Sequence, residues 1–464
     1  MTPNIPAELI MSLSKLDHFD PKAFQSVHES GDQLVSVHMN PGKPILQNGG
    51  WPKEIKEPPF DISYAVPWAE DAYYLSSRPS FTLDPLFHAG LYYVQEASGM
   101  FVSFAIKKTT DLTRNLRILD LCASPGGKST MLQSLISEES LLVSNEVIKS
   151  RVPALYQNMT KWGFANGIVT NNDPIHFKKL PGFFDIILID APCSGSGLFR
   201  KDTEAAKNWN MDLVQLCSQR QRRILEDAWD SLKEDGLLIY STCSYSKEEN
   251  EDILDMIFQQ YACISICLAP DPSWNIIETK SEKMAAYGYR FYPDKVLGEG
   301  FFLSVIQKKQ GIEHTIKTKK IRNEGRVSAS VEKQINTWID EKTLRYLFVG
   351  ESIHALPGVI VNEFETLKNN LYLKKAGIRI GRPGENELIP DHELALANFL
   401  KYESSYLDVS KSDALSYLRG EPFGLNSGDK GWKAIRYLGQ RMGWVKMIEK
   451  RMNNYYPKSW RIRQ

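Results

Sequence analysis

The sequence predicts an α/β protein built around a parallel sheet that helices cover on both faces. Two observations carry this prediction. From about residue 117, short apolar strands alternate with amphipathic helices, which is the pattern of a doubly wound sheet. The 464 residues are 42% hydrophobic and 24% charged. This composition excludes collagen-like, low-complexity and disordered chains, and a chain of this length can bury large cores.

The strands of the predicted sheet are short apolar runs that end in polar residues. They are 117–121, 141–145, 167–170, 185–190, 237–242 and, as a further edge strand, 300–307. The clearest amphipathic helices are 212–233 and 247–261. Ser246 followed by Glu249 predicts a capping box at the start of the second helix, with each side chain bonded to the other residue's backbone amide.

The patterns divide the chain into four parts. Residues 1–80 predict a small N-terminal α+β domain, with helical spacing at 6–16 and an alternating strand at 33–39. Residues 81–310 contain the sheet. Residues 311–330 are polar and aperiodic and therefore predict a linker. Residues 331–464 remain for a C-terminal region.

Apolar runs and cysteines indicate the compartment. No apolar run approaches the ~20 residues of a membrane span, and the first residues lack the layout of a secretory signal. We therefore expect a cytoplasmic, monomeric protein without membrane contact. The six cysteines include no CxxC pair and are too sparse for a disulfide framework, so we expect no metal. Free thiols thus become candidates for chemistry.

The net charge of zero conceals a basic C-terminal region. Residues 312–464 carry 26 Lys and Arg against 18 Asp and Glu, and 430–464 hold ten basic residues against Glu449 alone. Aromatic residues interleave with them, namely Trp432, Tyr437, Trp444, Tyr455, Tyr456 and Trp460. This mixture suits RNA, because cations neutralise phosphates and aromatic faces stack on unpaired bases. The alternative is a small domain with an aromatic core and a solvated basic surface.

The first strand runs into a loop of small residues that opens a helix. Gly126 and Gly127 let the backbone approach a ligand, and the free amides of the helix start can hold a polar group. Neither GxGxxG nor GxxxxGK[ST] fits 119–128, so we expect this loop to hold a group other than a pyrophosphate. Glu146 ends the second strand, where it could accept ribose hydroxyls, and Asp173 ends the third, within reach of an adenine edge. Together they predict a nucleoside cofactor site.

Two cysteines arrive at the same rim of the sheet. Cys193 lies in the loop after the fourth strand, in Asp190-Ala-Pro-Cys193, and Cys243 lies at the end of the fifth. A thiolate that adds to C6 of cytosine makes C5 nucleophilic, provided that an acid such as Asp190 contacts N3 as charge develops there. The donor of a methyl group would then be S-adenosylmethionine. Chemistry alone leaves open which cysteine is the nucleophile.

At these residues the sequence resembles the RNA cytosine-C5 methyltransferases of the Sun/nucleolar (NSUN) family, specifically the bacterial RsmF type. The motifs that carry the resemblance are Asp120-Leu-Cys-Ala-Ser-Pro-Gly-Gly-Lys128, Asn145-Glu146, Asp173, Asp190-Ala-Pro-Cys-Ser-Gly-Ser-Gly197 and Ser241-Thr-Cys-Ser244. The segments 438–446 and 453–461 resemble, more loosely, the C-terminal PUA-like RNA-binding region of this type. One departure is Val37-His-Met-Asn40, where family members commonly carry Arg-x-Asn.

The resemblance implies a Rossmann-like S-adenosylmethionine-dependent methyltransferase core with an antiparallel last strand. It implies that Cys243 is the C6 nucleophile, that Cys193 assists release, and that Lys128 lies near the target base. The cofactor residues it implies are Cys122, Ala123, Ser124, Pro125, Gly126, Gly127, Lys128, Glu146, Asp173 and Asp190. The implied substrate is 16S ribosomal RNA. The alternatives are a transfer-RNA cytosine-C5 methyltransferase and a non-catalytic RNA-binding factor of ribosome assembly.

Overall fold

Four β-sheets organise the part of the chain that the structure describes. The structure is a computed structural model of residues 1–464. It describes all of them except 1–4, 17, 48, 54, 312–326, 340, 386, 401–405, 425–429, 449–450 and 464. None of the described helices is both long and apolar enough to cross a membrane.

The central sheet contains the five predicted parallel strands. They are β1 (Arg117–Asp120), β2 (Leu141–Asn145), β3 (Gly167–Thr170), β4 (Phe184–Asp190) and β5 (Leu232–Thr242). Their spatial order is β3-β2-β1-β4-β5, so the order reverses between β1 and β4. At such a switch point the loops diverge and leave a crevice at the carboxyl ends of the strands, where ligands bind. The expected doubly wound core is confirmed.

Antiparallel strands extend this sheet on both sides. Strand β6 (Phe301–Lys308) runs antiparallel to β5, as the resemblance implies, and Tyr287–Phe291 and Ile277–Lys280 continue outward from it. Cys263–Ser265 also pairs with β6. On the opposite edge, Leu373–Ala376 of the C-terminal region pairs with β3. The C-terminal region therefore contributes an edge strand to the central sheet.

Helices cover both faces of the sheet, and two of them differ from the prediction. The helix predicted at 212–233 is Met211–Ala228, because β5 already begins at Leu232. The helix predicted at 247–261 begins at Glu251, and no capping box forms because the Ser246 side chain makes no cap hydrogen bond. The other helices of the core are Phe101–Thr109, Gly127–Leu135, Val152–Trp162 and Thr203–Asn208.

The N-terminal domain has a small antiparallel sheet. Its strands, in spatial order, are Ile62–Ala65, Ala72–Leu75, Ser36–Met39 and Tyr92–Val94. The last of these lies beyond the predicted boundary at residue 80, because its backbone pairs with Ser36–Met39. The helices of this part are Ala7–Leu13, Pro21–Glu29 and Pro85–His88.

The N-terminal domain is attached to the core at the end of helix Val152–Trp162. The Lys43 ammonium donates to the carbonyl oxygens of Lys161 and Ala89, at 2.6 Å each, and the Asn40 amide donates to Trp162 O at 2.9 Å. A cation is favourable at the carbonyl end of a helix. His38, at the departure from the family pattern, is buried between Tyr93 and Trp162. This segment therefore joins two domains.

The C-terminal region contains two four-stranded sheets. The first has strands Leu344–Val349, Ser352–Pro357, Ile378–Pro383 and Leu388–Pro390; the second has Tyr406–Asp408, Gly431–Tyr437, Gln440–Ile448 and Arg451–Asn454. The helices are Ala329–Ile335, Val361–Asn370, His392–Leu396 and Lys411–Arg419. Most of the predicted linker 311–330 lies outside the described residues, and a helix begins within its last residues.

A buried ion pair docks this region against the core. Lys375 and Glu393 are 2% and 3% exposed, and Glu393 also accepts from the Tyr156 hydroxyl of helix Val152–Trp162. The Lys375 ammonium donates to Gly377 O as well. Because both charges are buried and hydrogen-bonded, the pair ties the sheet edge and the helix to one fixed geometry.

Several aromatic residues of the basic tail form a core, as the alternative interpretation holds. Trp432, Trp444 and Tyr456 are at most 4% exposed and so present little ring surface for stacking. Basic side chains of the tail are also engaged: the Arg436 guanidinium pairs with Asp408, and Lys446 pairs with Glu387. Arg451, Lys458 and Arg463 remain exposed on the surface, and residues 449–450 lie outside the described part of the chain.

Candidate active site

The loop after β1 forms one wall of the crevice. Gly126 has φ of 116°, a conformation that side-chain-bearing residues rarely adopt, and the nine-residue helix Gly127–Leu135 begins directly after it. The Asn158 amide donates to Pro125 O at 2.9 Å, and Ala123 N donates to Asn145 O at 2.8 Å. These bonds hold the predicted cofactor loop, 122–128, against the end of β2 and the middle of helix Val152–Trp162.

Two predicted carboxylates lie at the ends of β2 and β3. Glu146 is buried, and it accepts from Ile148 N at 2.7 Å while its other oxygen lies 3.3 Å from Arg151 Nη1. Asp173 caps the 3-10 turn Pro174–Lys179 and lies 3.5 Å from Arg223 Nη2. A carboxylate has about four acceptor sites, so both residues keep capacity for ligand hydroxyl or amine groups.

A single cavity of about 630 Å³ joins the cofactor side of the crevice to the two cysteines. This volume lies within the usual range for small-molecule sites. The predicted residues on its wall are Cys122, Ser124, Glu146, Asp190, Cys193 and Cys243. Residues that sequence analysis missed also line it, among them Ile148, Arg151, Pro174, Arg220 and Arg223. They lie on helices and turns whose direction toward the cavity follows from tertiary packing.

The two cysteines meet in this cavity. Cys193 Sγ lies 3.1 Å from Cys243 Sγ, although fifty positions separate them in the sequence. The hydrogen bond with Cys243 and burial hold the pKa of the Cys193 thiol well above its ordinary value. Either sulfur can donate in this contact, and the raised pKa favours the neutral thiol of Cys193.

Asp190 and Lys128 form an ion pair beside the sulfurs. Lys128 Nζ lies 2.6 Å from Asp190 Oδ2, and the Ser241 hydroxyl donates to Asp190 Oδ1 at 2.9 Å. Burial opposes the charge of Lys128, but the carboxylate of Asp190 outweighs burial and the pKa of Lys128 is raised. The ammonium also lies 5.4 Å from the ring centre of Phe301. The pair thus places a proton donor and a negative charge at the cavity wall.

Asp120, behind the loop, is a buried acid. Burial raises its pKa to about 7, while the hydroxyl of Ser129 donates to Asp120 Oδ2 at 2.6 Å and opposes that rise. It lies at the end of β1 and belongs to the motif quoted above. Its contact fixes the first turn of helix Gly127–Leu135 to the sheet.

Glu249 is the main residue that sequence analysis misassigned. Its carboxylate reaches the loops of both cysteines, accepting from the backbone amide and hydroxyl of Ser194 and from the hydroxyl of Ser244. The predicted capping box paired Glu249 with Ser246, whereas in the structure Glu249 binds Ser194 and Ser244. The signal that was available is that each site cysteine is followed by a serine, as Cys193-Ser194 and Cys243-Ser244.

Family models match three parts of the chain. The model of the 16S rRNA methyltransferase RsmB/F family matches residues 108–307. The model of the N-terminal domain of 16S rRNA methyltransferase RsmF matches 5–97, and that of the methyltransferase RsmF PUA domain matches 404–462. The N-terminal match ends past residue 80, as does the N-terminal sheet.

Relatives and solved structures agree with these matches. Ribosomal RNA small subunit methyltransferase F of Vibrio vulnificus is 27% identical over 432 residues, covering 89% of this chain and 87% of that protein. Its counterpart in Vibrio parahaemolyticus is 28% identical, with coverage of 85% and 84%. A methyltransferase homologue from Pyrococcus horikoshii has TM-score 0.51 at 27% identity, covering 66% of this chain and all of that one. NSun6 from the same organism, solved with SFG, has TM-score 0.51 at 18% identity, covers 66% of this chain and 98% of that one, and shows the shared fold.

The fold, the order of the three matched parts and the named relatives point in one direction. A Rossmann-like core lies between an N-terminal α+β domain and a C-terminal PUA domain, as the sequence predicts. The chain therefore belongs to the RsmB/F family of methyltransferases and has the domain arrangement of its RsmF type.

Proposed function

We propose that the protein transfers a methyl group from S-adenosylmethionine to C5 of a cytidine in 16S ribosomal RNA through a covalent cysteine adduct. The observation that carries the proposal is the 3.1 Å approach of two thiol sulfurs in one cavity beside the Asp190 carboxylate. Cytosine is unreactive at C5 until a nucleophile adds at C6, so a methyltransferase of this base needs a thiol and a proton donor together.

Cys243 is the proposed nucleophile. Its thiolate forms a bond to C6, and the electron pair of the C5–C6 double bond moves toward N3. Lys128 and Asp190 hold a proton between them 2.6 Å apart, and this pair stabilises the charge that develops at N3. S-adenosylmethionine, when bound, supplies the electrophilic methyl group that C5 attacks.

Cys193 is proposed to assist release. After methyl transfer, the C5 proton passes to water, the C5–C6 double bond re-forms, and the C6–S bond breaks to return the Cys243 thiolate. The protonated thiol of Cys193, 3.1 Å away, can donate to that sulfur as it departs. This contact stabilises the leaving group and so favours elimination.

The cofactor fits the cofactor side of the crevice. Cys122, Ser124 and Glu146 line the cavity there, and Glu146 keeps acceptor capacity for two ribose hydroxyls. Cys122 to Lys128 would hold the amino acid part, and Asp173 the adenine edge. Val147 and Ile148, which are exposed at the mouth, offer apolar surface to the adenine ring.

The proposed substrate class rests on the relatives and on the C-terminal domain. The relatives are named ribosomal RNA small subunit methyltransferase F, and the tail matches the PUA domain of that type. A target base within duplex RNA must leave the stack to reach Cys243, at a cost of about a few kcal/mol that contacts in the pocket offset.

Two cysteine variants test the mechanism on 16S ribosomal RNA. Cys243→Ala should abolish methyl transfer while RNA and cofactor binding remain. Cys193→Ala should accumulate a protein–RNA adduct that resists denaturant, visible as a shifted band in a denaturing gel. An adduct in Cys243→Ala and none in Cys193→Ala would reverse the two roles.

A map of 5-methylcytosine tests the substrate. Mass spectrometry or bisulfite sequencing of ribosomal RNA from cells with and without the gene should show one or more 16S positions that lose methylation. An unchanged 16S pattern would refute the proposed substrate, and a loss confined to transfer RNA would replace it.

A further inference from the structure

Glu249 is a fully buried carboxylate that touches both loops of the active site. It accepts from Ser194 N at 2.7 Å, from Ser194 Oγ at 2.6 Å and from Ser244 Oγ. Each of these serines directly follows a site cysteine. One carboxylate thereby connects the segment after β4 with the segment after β5.

The surroundings of Glu249 reinforce this connection. The Gln221 amide donates to Glu249 Oε1 at 3.3 Å and to Pro192 O at 3.1 Å, and Trp209 Nε1 donates to the Ser194 hydroxyl at 3.2 Å. The described donors to the carboxylate are thus hydroxyls and amides. Burial raises the pKa of Glu249, and the hydrogen bonds from the serines oppose that rise.

Burying a carboxylate costs free energy, which its hydrogen bonds must offset. A buried carboxylate that relies on neutral donors must keep all of them, because one missing donor leaves a desolvated charge. The two loops also contact each other directly. Gly197 N donates to Cys243 O at 2.8 Å, Tyr245 N donates to Ser196 Oγ at 2.9 Å, and Ser244 Oγ lies 3.3 Å from Ser194 Oγ and 3.4 Å from Ser196 Oγ. Among these links, Glu249 is the one acceptor of the described residues that binds both of the serines that follow the two sulfurs.

We propose that Glu249 is a positioning residue that holds Cys193 and Cys243 on the same pyrimidine by tying Ser194 and Ser244 to one carboxylate. This inference rests on the proposed function, because the common target of the sulfurs is the cytosine ring. Glu249 itself lies away from the cavity and takes no part in bond making.

Glu249→Gln tests the proposal with activity and binding together. Glutamine keeps the shape, but its amide nitrogen cannot accept a hydrogen bond. Whichever way the amide is turned, the side chain loses either the Ser194 backbone amide and Gln221 or the two serine hydroxyls as donors, so its hold on the loops weakens. A displacement of about 1 Å in a reacting group costs roughly 100-fold in rate, and we expect kcat to fall by about that factor. The KM for S-adenosylmethionine should stay unchanged, because the cofactor loop 122–128 lies on other strands.

Ser246→Ala is the matched control. Ser246 belongs to the same turn, and its buried hydroxyl has no hydrogen-bond partner among the residues that the structure describes. This variant should keep the wild-type kcat. The double variant Ser194→Ala/Ser244→Ala removes the two hydroxyl links while Glu249 stays, and it should reproduce the loss if Glu249→Gln itself fails to fold.

Alkylation of the cysteines gives a readout that does not depend on the substrate. Iodoacetamide labelling across a pH series, with each cysteine followed by peptide mass spectrometry, reports when each thiol ionises. Loosening the contact with Cys243 lowers the pKa of Cys193. Its labelling should therefore move to lower pH in Ser194→Ala/Ser244→Ala, which keeps the Glu249 charge and so separates loss of the tether from loss of the charge. Exposed Cys267 is the internal reference and should label equally in both proteins.

The outcomes separate this inference from the proposed function. An active wild type with Glu249→Gln equally active, or an unshifted Cys193 labelling profile, overturns the positioning role. An inactive wild type with a shifted Cys193 profile instead overturns the proposed reaction and leaves the tether between the loops in place.

Discussion

Asp190→Asn is the substitution that most directly probes the proposed stabilisation of charge at N3. The carboxylate of Asp190 contacts Lys128 Nζ at 2.6 Å and the Ser241 hydroxyl at 2.9 Å, so both oxygens are engaged. Asparagine has one acceptor oxygen and no charge. It can keep one of these contacts, but it cannot hold the ammonium as a charge-assisted pair.

The expected loss in kcat follows from the role of the Lys128–Asp190 pair in the reaction. Removing one preorganised group that stabilises developing charge costs about 100- to 1000-fold in kcat, which is about 2.7–4 kcal/mol. The side chains of Lys128 and Asp190 are 17% and 33% exposed. Because water partly screens the pair, we expect folding stability to fall by only about 1–2 kcal/mol.

Single-turnover methyl transfer with saturating S-adenosylmethionine separates the chemical step from cofactor binding. The matched control is Asp185→Asn, because Asp185 is also on β4 and is also paired, with Lys233 and with the backbone amide of Arg117. It lies at the opposite end of the strand. Asp185→Asn should keep the wild-type rate of methyl transfer. A loss seen only in Asp190→Asn then belongs to the site and not to the loss of an ion pair on β4.

The reasoning fails if Asp190→Asn transfers the methyl group as fast as the control does. It also fails if the whole loss in Asp190→Asn is recovered by raising the S-adenosylmethionine concentration, because Asp190 would then act through the cofactor alone.

Three further predictions concern stability and RNA binding. Burial lowers the pKa of His38 to about 3, so as pH falls below 6.5 this histidine takes up a proton in the unfolded chain before it does so in the folded one. The free energy of unfolding should therefore fall by about 2 kcal/mol between pH 7.5 and pH 5 on account of this residue. In His38→Phe, thermal unfolding should lack that part of the loss at pH 5. Lys375→Met leaves the Glu393 charge buried without its cation and should lower the free energy of unfolding in urea by about 3–5 kcal/mol. The double variant Lys375→Met/Glu393→Leu should recover most of that loss. Equal losses in the two variants would contradict the docking role of the pair. Arg451→Gln with Lys458→Gln should lower the slope of log affinity for RNA against log salt by about 1.5–2 in filter binding, and an unchanged slope would remove this surface from the RNA interface.

The sheet and much of the site could be predicted because they depend on local patterns and one topological rule. The strands ending at Asp190 and Thr242 are apolar runs, and parallel strands present their carboxyl ends at one edge. Cys243 follows Thr242 directly, and Cys193 comes soon after Asp190, behind Ala191 and Pro192. Their convergence was therefore predictable, but the distance between the sulfurs was not, because it depends on how two loops pack.

Other features depend on contacts between distant segments. Leu373–Ala376 joins the catalytic sheet although its two lysines do not resemble a buried strand; Lys375 is accommodated there by Glu393. Lys43 closes the end of a helix that lies more than a hundred residues away in the sequence. No periodicity in either segment indicates its partner.

The order of apolar and polar residues was enough to specify the doubly wound core, the glycine turn at Gly126 and the presence of both thiols at one rim, since each follows from short-range geometry. The roles of Glu249 and of the aromatic tail were decided by packing. A carboxylate three residues after Ser246 satisfies a local capping rule, yet in the folded chain Ser194 and Ser244 come close enough to bind it. These long-range contacts give the carboxylate several donors where the capping box would give it the Ser246 amide alone, so the fold selects them.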